Sequence, residues 1–251
     1  MNIEEDVRVG RQSAKRASRE SRKKEKAERL VKEKFHAEVK PPVQAKNSVQ
    51  REFLKALKEY DVVVFSAPAG VGKSFLTMSE VSDWLKKGAI NKIVLSRPAV
   101  PMGRTIGLVP GDLRTKYELF LQPLLQVLWE RYGKGFYETC LSNGTIELLP
   151  GEYCRGRSID GVFVLDEGQS FTPDEIYTML TRIEDGGKLI LIGDPNQNDL
   201  RGENGIDWIE SFVERNPELT AHIKIIKATS DDIVRSGLCK AMVQAKEREA
   251  N

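Results

Sequence analysis

The sequence predicts an α/β protein with three layers, in which a mostly parallel sheet is covered by helices on both faces. Short apolar runs alternate with segments of helical pattern along most of the chain. A glycine-rich turn joins one apolar run to a helix, and another apolar run ends in two adjacent acids. Acids at the end of a buried parallel strand lie at the sheet edge where open α/β folds bind ligands.

The pattern places six strands and six helices in alternation. Strands are expected near 61–66, 92–96, 144–149, 161–166, 188–193 and 223–228. Helices are expected near 47–60, 73–87, 113–132, 173–184, 206–214 and 231–247. Two of these helices begin with capping signals. One signal is Asn47 with Gln50, and the other is Thr172 followed by a proline and Glu175.

Charge divides the chain into two parts. Residues 1–40 hold 13 Lys and Arg against 8 Asp and Glu, whereas the whole chain has a net charge of only +2. That segment has too few apolar residues to fold by itself. We therefore expect residues 1–42 to be a basic tail, disordered or a solvated helix, and residues 43–251 to form a single domain. The tail could contact nucleic-acid phosphates, although a solvated charged helix explains it equally well.

Composition argues against several classes of protein. No apolar run approaches the roughly eighteen residues of a membrane-spanning helix, and the charged N-terminus does not read as a signal peptide. Cys140, Cys154 and Cys239 lack the spacing of a metal site, and His36 and His222 are too few for a His-based centre. We expect a cytoplasmic protein with no membrane partner.

The glycine-rich turn has the spacing of a P-loop, a phosphate-binding segment between a strand and a helix. Its glycines allow close approach to a phosphate, and the N–H groups at the helix start point at the anion. The lysine can reach the β- and γ-phosphates, and the serine hydroxyl can bind Mg²⁺. The alternative is an ordinary glycine turn with a surface lysine. The expected nucleotide-binding residues are Ala67, Pro68, Ala69, Gly70, Val71, Gly72, Lys73, Ser74 and Phe75.

The two acids follow the apolar run that begins at Gly161. Asp166 is expected to hold Mg²⁺ through its water shell, and Glu167 is the candidate to polarise an attacking water. A glutamate beside a metal-binding aspartate favours hydrolysis by water over transfer to a bound substrate. The alternative is an acidic strand end that leads into the next turn.

A third turn, Gly193-Asp-Pro-Asn-Gln197, follows another apolar strand. Alone it is a plain turn signal. It is similar to the Gly-Asp-x-x-Gln turn with which superfamily 1 helicases read the γ-phosphate, and Asp194 and Gln197 would take those positions here.

Together these motifs resemble the PhoH-like ATPase family over residues 43–247. The more specific marks are Ser96-Arg-Pro-Ala-Val100, Gly107-Leu-Val-Pro-Gly-Asp-Leu113, Leu165-Asp-Glu-Gly-Gln-Ser170 and Leu180-Thr-Arg-Ile183. The resemblance implies a P-loop NTPase, RecA-like, with ATP and Mg²⁺ as cofactors. Ala67 replaces the usual first glycine, and Gly168 stands where the family usually has alanine.

Four further residues acquire candidate roles from the resemblance. Gln50 would bind the adenine edge as in helicase Q motifs, or it caps its own helix. Arg97 would touch single-stranded nucleic acid, or it is a salt-bridged loop arginine. Arg235 and Arg182 are candidate arginine fingers, with a surface ion pair as the alternative for Arg235. Arg182 is expected at a helix end on the active face.

A complete site built on a single lobe would need a group from a neighbouring chain, so the resemblance favours a ring, expected to be hexameric. The loop-rich stretch 102–116 would line its pore or an interface. We expect an oligomeric Mg-dependent ATPase coupled to RNA or single-stranded DNA. The alternatives are a nucleotide-dependent assembly protein with little turnover and a small-molecule kinase.

Overall fold

The structure is a computed structural model, which describes residues 40–98, 113–198 and 200–250. Most of the predicted basic tail and most of the loop-rich stretch 102–116 lie outside these residues. None of the helices in the described ranges combines the length and apolar character needed to cross a bilayer.

Six parallel strands form one sheet with the order β3-β2-β4-β5-β1-β6. The three strands that precede the predicted motifs, β1, β4 and β5, are therefore neighbours in its middle. The strands are β1 (Val62–Ser66), β2 (Ile93–Ser96), β3 (Ile146–Leu148), β4 (Val162–Leu165), β5 (Lys188–Gly193) and β6 (Ile223–Lys227).

Helices cover both faces of this sheet. They are α1 (Ser48–Glu59), α2 (Lys73–Lys86), α3 (Leu113–Tyr132), α4 (Lys134–Ser142), α5 (Pro173–Leu180), α6 (Gly205–Arg215) and α7 (Gly237–Ala250). Side chains alternate along each strand, so Val63 and Phe65 of β1 face one core while Val62 and Val64 face the other. The first core packs against α1 to α4, and the second packs against α5 and α6.

The predicted fold class is confirmed, and each predicted strand is present within about two residues of its expected bounds. Three helix predictions need correction. Helix α4 was not predicted. Helix α5 ends at Leu180 rather than near 184, because the chain turns there to pair Ile183 with Ile159.

The last helix begins at Gly237 rather than near 231. Residues 230–232 form a single 3₁₀ turn, closed by a capping box between Thr229 and Asp232. The chain then leaves helical geometry because the Val234 N–H donates to the Gly70 carbonyl at 3.1 Å. A contact with the P-loop therefore outweighs the local helical pattern.

A buried carboxylate fastens α2, the helix that follows the P-loop, to α3. Asp83 is 1% exposed and accepts hydrogen bonds from Arg131 Nε at 2.5 Å and Arg131 Nη2 at 2.6 Å. The Tyr132 hydroxyl donates to the same carboxylate at 2.6 Å. The position of α2, and with it of the P-loop, therefore depends on a charge that is fully paired inside the protein.

We expect Asp83→Ala to lower the free energy of unfolding by about 3–5 kcal/mol, because it leaves the half-buried Arg131 guanidinium without its partner. The melting temperature should fall by roughly 6–20 °C. Lys55→Ala, which breaks the exposed pair with Glu59 at 3.8 Å, is the control and should change it little. Equal melting temperatures for both variants would contradict the anchoring role of Asp83.

Candidate functional site

A cleft of about 630 Å³ lies at the carboxyl ends of β1, β4 and β5. The P-loop forms its floor, and the acid pair and the turn after β5 form one wall. Residues that line it from these three motifs include Gly70, Lys73, Ser74, Asp166, Glu167 and Gln197. The fold thus brings together all three predicted motifs at one sheet edge.

The P-loop depends on two glycines in left-handed backbone geometry. Gly70 has φ of +89° and Gly72 has φ of +98°, values that side chains rarely tolerate. Gly72 immediately precedes α2, so the first N–H groups of that helix face the cleft. A helix start with free N–H groups attracts phosphate through its hydrogen bonds and dipole.

Lys73 lies near three carboxylates, those of Asp166, Glu167 and Asp194. Its ammonium donates to the Ala67 carbonyl at 2.5 Å and to the Pro68 carbonyl at 3.1 Å. Burial lowers the pKa of Lys73, while the charges of Asp194, Glu167 and Asp166 act to raise it. The lysine is thus aimed at the loop that would enclose a phosphate.

The acid pair contains one buried and one half-exposed carboxylate. Asp166 is 4% exposed, and burial raises its pKa to about 6 against the lowering effect of the Arg97 guanidinium. Arg97 bridges the pair, with Nη1 3.2 Å from Asp166 Oδ2 and Nη2 2.9 Å from Glu167 Oε1. The predicted alternative for Arg97, a salt-bridged loop residue, therefore describes the contacts that it makes.

The backbone of Glu167 is in a rare conformation. Its φ is 55°, and no other non-glycine residue of the described chain has a positive φ. Such a conformation costs about 1–3 kcal/mol and persists only where the surrounding structure imposes it. It turns the Glu167 side chain out of the strand direction and into the wall of the cleft.

Gln169, which the sequence analysis left without a role, connects this wall to the third motif. Its Nε2 donates to Glu167 Oε2 at 2.7 Å, and its Oε1 accepts from the Asp194 N–H at 3.0 Å. Asp194 in turn accepts from Gln197 Nε2 at 2.7 Å. A continuous chain of hydrogen bonds therefore runs from the acid pair to the predicted γ-phosphate turn.

The comparisons with known proteins agree with this geometry. The profile of the family described as "PhoH-like protein" matches residues 42–247. The chain belongs to the PhoH-like family. It is 35% identical over 208 residues to the "PhoH-like protein" of Bacillus subtilis (strain 168), covering 82% of this chain and 65% of that protein. It is 31% identical over 210 residues to "Protein PhoH" of Escherichia coli (strain K12), covering 81% of this chain and 58% of that protein.

The chain thus spans about three fifths of the length of these PhoH-like relatives. Among solved structures it resembles the HK97 bacteriophage large terminase, with a TM-score of 0.50 and 13% identity. That match covers 86% of this chain and 52% of the terminase. At this identity the likeness concerns the fold alone, and it agrees with a three-layer, RecA-like P-loop NTPase.

Gln50, placed near the adenine by the helicase resemblance, has both ends of its amide engaged. It is 2% exposed, its Nε2 donates to the Val71 carbonyl at 2.7 Å, and its Oε1 accepts from the Lys46 N–H at 2.7 Å. Its own N–H donates to the Asn47 side chain at 2.8 Å. Gln50 therefore braces the P-loop and, through its N–H, completes the Asn47 cap of α1. It also lines the cleft, and its contact with a base stays a prediction.

The two candidate fingers lie at opposite edges of the sheet. Arg235 lies in the cleft wall of its own chain, with its Cβ close to Gly70. Arg182 was expected on the same face, and this placement is wrong. Its carbonyl accepts from the Ile159 N–H, just before the start of β4, so its backbone lies at the amino edge of the sheet. The early end of α5 turns the chain there.

The oxygen donors at the cleft suit Mg²⁺. Ser74 supplies a hydroxyl and Asp166 a carboxylate, the hard ligands that this ion prefers together with water and phosphate oxygens. No group of three or more His, Cys, Asp and Glu suited to a metal occurs in the part of the chain that the structure describes. A magnesium ion here would therefore rely on water and phosphates for its remaining ligands.

Two other contributors to this PhoH-like site could not be assigned from the motifs. Tyr117 on α3 is 4% exposed, and its hydroxyl accepts from the Arg97 N–H and donates to the Arg97 carbonyl, both at 2.9 Å. Cys239 on α7 packs on Ala69 and Gly70 of the P-loop. Each side chain contacts site residues that are far from it in the sequence, so the residues around it in the chain give no signal of this role.

Gln50→Ala separates the two functions considered for this residue. We expect nucleotide affinity to fall by roughly tenfold, and equally for ATP and GTP, because the variant releases the Val71 carbonyl rather than a base contact. Titration of fluorescent ATP and GTP analogues measures both affinities. Gln126→Ala, at an exposed pair with Glu130, is the control. A loss confined to ATP would restore the adenine-reading role.

Proposed function

We propose that this chain is a Mg-dependent ATPase that hydrolyses ATP within an oligomeric ring, coupled to RNA or single-stranded DNA. The observation that carries the proposal is the position of Glu167. Its carboxylate lines the same cleft as Lys73 and Ser74, and Gln169 ties it to the turn that carries Gln197.

The roles of the residues follow from their positions. The N–H groups of α2 and the Lys73 ammonium would bind and neutralise the phosphates, and Ser74 and Asp166 would hold Mg²⁺. When bound, Mg²⁺ supplies charge stabilisation for the leaving phosphates. The Glu167 carboxylate would accept a hydrogen bond from a water and orient it, and Gln197 would contact the terminal phosphate from the neighbouring turn.

Glu167→Gln should retain ATP binding but lower hydrolysis by at least about 100-fold, since the amide cannot accept the proton of the attacking water. Phosphate release from purified protein with Mg-ATP measures the rate, and filter binding of radiolabelled ATP measures retention. Glu184→Gln, on the exposed turn after α5, is the matched control and should hydrolyse at the wild-type rate.

Normal turnover in the Glu167→Gln variant would refute the role of this residue as the base. A wild-type protein that binds ATP, assembles on it and releases almost no phosphate would instead favour a nucleotide-dependent assembly protein.

One observation supports the nucleotide-dependent assembly protein as a second function. Leu238 and Met242, 73% and 63% exposed, form an apolar face on α7, whose Cys239 packs on the P-loop.

The nucleic-acid part of the proposal rests on charge. The segment 1–40 is rich in Lys and Arg, and the Arg97 side chain is 21% exposed at the end of β2. Phosphodiester backbones bind to such cations in a salt-dependent way.

The ring is supported by the two finger candidates and the face of α7. Arg235 can act within its own chain, because it lines that chain's cleft. Arg182 lies at the opposite edge of the sheet, so it would serve a nucleotide of a neighbouring chain only. Contacts between unlike surfaces that close on themselves generate rings.

Mixing of inactive variants tests which arginine acts between chains. Lys73→Ala and Arg182→Ala should each be inactive alone, and an equal mixture should regain activity at about a quarter of its sites, where an intact cleft meets an intact neighbour. Phosphate release before and after mixing, together with mass in solution, measures the effect.

The same mixing with Arg235→Ala in place of Arg182→Ala should give no recovery, because Lys73 and Arg235 serve the cleft of one chain. Recovery with Arg235→Ala instead would make Arg235 the finger supplied between chains. A monomer with full activity would remove the ring from the proposal.

A further inference from the structure

Arg97 is the single cation in hydrogen-bond contact with both members of the acid pair among the described residues. One guanidinium nitrogen pairs with Asp166 at 3.2 Å and the other with Glu167 at 2.9 Å. The two acids assigned to metal binding and to water activation are thus both engaged by one side chain. Charge-assisted pairs of this kind are stronger than ordinary hydrogen bonds.

Arg97 reaches the acids from the side opposite to the P-loop. In the sheet, β4 has β2 on one side and β5, followed by β1, on the other. The P-loop follows β1, whereas Arg97 follows β2. Asp166 and Glu167 line the nucleotide cleft, and Arg97 is not among the described residues that line it. A second ligand can therefore meet Arg97 without entering the cleft.

The backbone of Arg97 is fixed, so that only its side chain is free to change partner. The buried Tyr117 hydroxyl accepts from the Arg97 N–H and donates to the Arg97 carbonyl, with the Leu149 carbonyl at 3.3 Å as an alternative acceptor for the same proton. The Arg97 side chain remains 21% exposed and the Glu167 side chain 34% exposed. A rotation of the guanidinium away from the acids toward solvent requires no movement of the sheet.

We propose that Arg97 is a switch that links the two sides of the acid pair. Paired with Asp166 and Glu167, it holds both carboxylates away from metal binding and water activation. A phosphodiester group of single-stranded nucleic acid, bound beside β2, takes over the guanidinium and releases both acids. This inference rests on the proposed function and adds the residue that couples nucleic acid to hydrolysis.

The two roles considered for Arg97, an ion-paired residue and a nucleic-acid contact, then become two states of one side chain. Carboxylates and phosphodiesters are both anions that bind guanidinium groups through paired hydrogen bonds, so they compete for the same donors. The arrangement predicts low hydrolysis without nucleic acid and a higher rate with it.

Arg97→Gln should uncouple the switch. The affinity for a non-hydrolysable ATP analogue is measured once with Mg²⁺ and once with EDTA. We expect the ratio of the first affinity to the second to be about tenfold larger for Arg97→Gln than for the wild type. The released acids attract the cation and repel the bare phosphates. Arg97→Lys, which keeps the charge but cannot bridge both acids, should give an intermediate ratio and provides a second variant if Arg97→Gln folds poorly.

The second readout is the response to nucleic acid. Single-stranded RNA and DNA oligonucleotides should stimulate phosphate release by the wild type, whereas Arg97→Gln should have a raised basal rate that neither oligonucleotide increases. Arg157→Gln is the matched control, because it breaks an Arg–Glu pair with Glu147 outside the site. It should respond as the wild type does.

The results separate failure of the switch from failure of the proposed function. If oligonucleotides stimulate the wild type and Arg97→Gln equally, or if Arg97→Gln leaves the Mg²⁺ ratio unchanged, the switch is refuted while the ATPase stands. A fall in the basal rate of Arg97→Gln would also refute it. If no protein releases phosphate and no oligonucleotide binds, the proposed function itself fails.

Discussion

The site depends on the register of three adjacent parallel strands. β4, β5 and β1 end at one edge, and hydrogen bonds continue that alignment into the turns beyond them. The Ala67 N–H donates to the Gly193 carbonyl at 3.0 Å, which joins the ends of β1 and β5. On the other side of β4, the Asp166 N–H donates to the Ser96 carbonyl of β2 at 2.9 Å. A slip of one residue in any pairing would turn every side chain of that strand to the other face. The P-loop, the acid pair and the Gln197 turn meet because this slip is prevented.

Sequence reasoning succeeded where the signal is local. The six strands are short apolar runs between turn residues, and the P-loop spacing is a local geometric requirement of phosphate binding. The start of α5 was predicted from Thr172 and Glu175, whose side chains form the expected capping box. These features need no knowledge of what lies on the next strand.

The parts that sequence reasoning missed depend on contacts between distant segments. The late start of α7 follows from the hydrogen bond between Val234 and Gly70, which are far apart in the chain. Gln169 carried no signal of its own, because its role is to connect two different strand ends. One partner, Glu167, follows β4, and the other, Asp194, follows β5. Arg182 was misplaced because α5 ends one turn early, and helix ends are the least certain part of a pattern.

The contact between Gly193 and Gln169 also constrains how this chain can change over generations. A Cβ at position 193 would lie 2.4 Å from Gln169 Oε1, so no side chain fits there while the amide keeps its place. A Cβ at Gly168 would lie 2.6 Å from Leu191 Cδ1, so a side chain at position 168 requires Leu191 on β5 to pack differently. A Cβ at position 193 would also lie 2.6 Å from Ile206 Cδ1 and 2.8 Å from the Gly168 nitrogen, so a change at position 169 alone would not admit a side chain at 193.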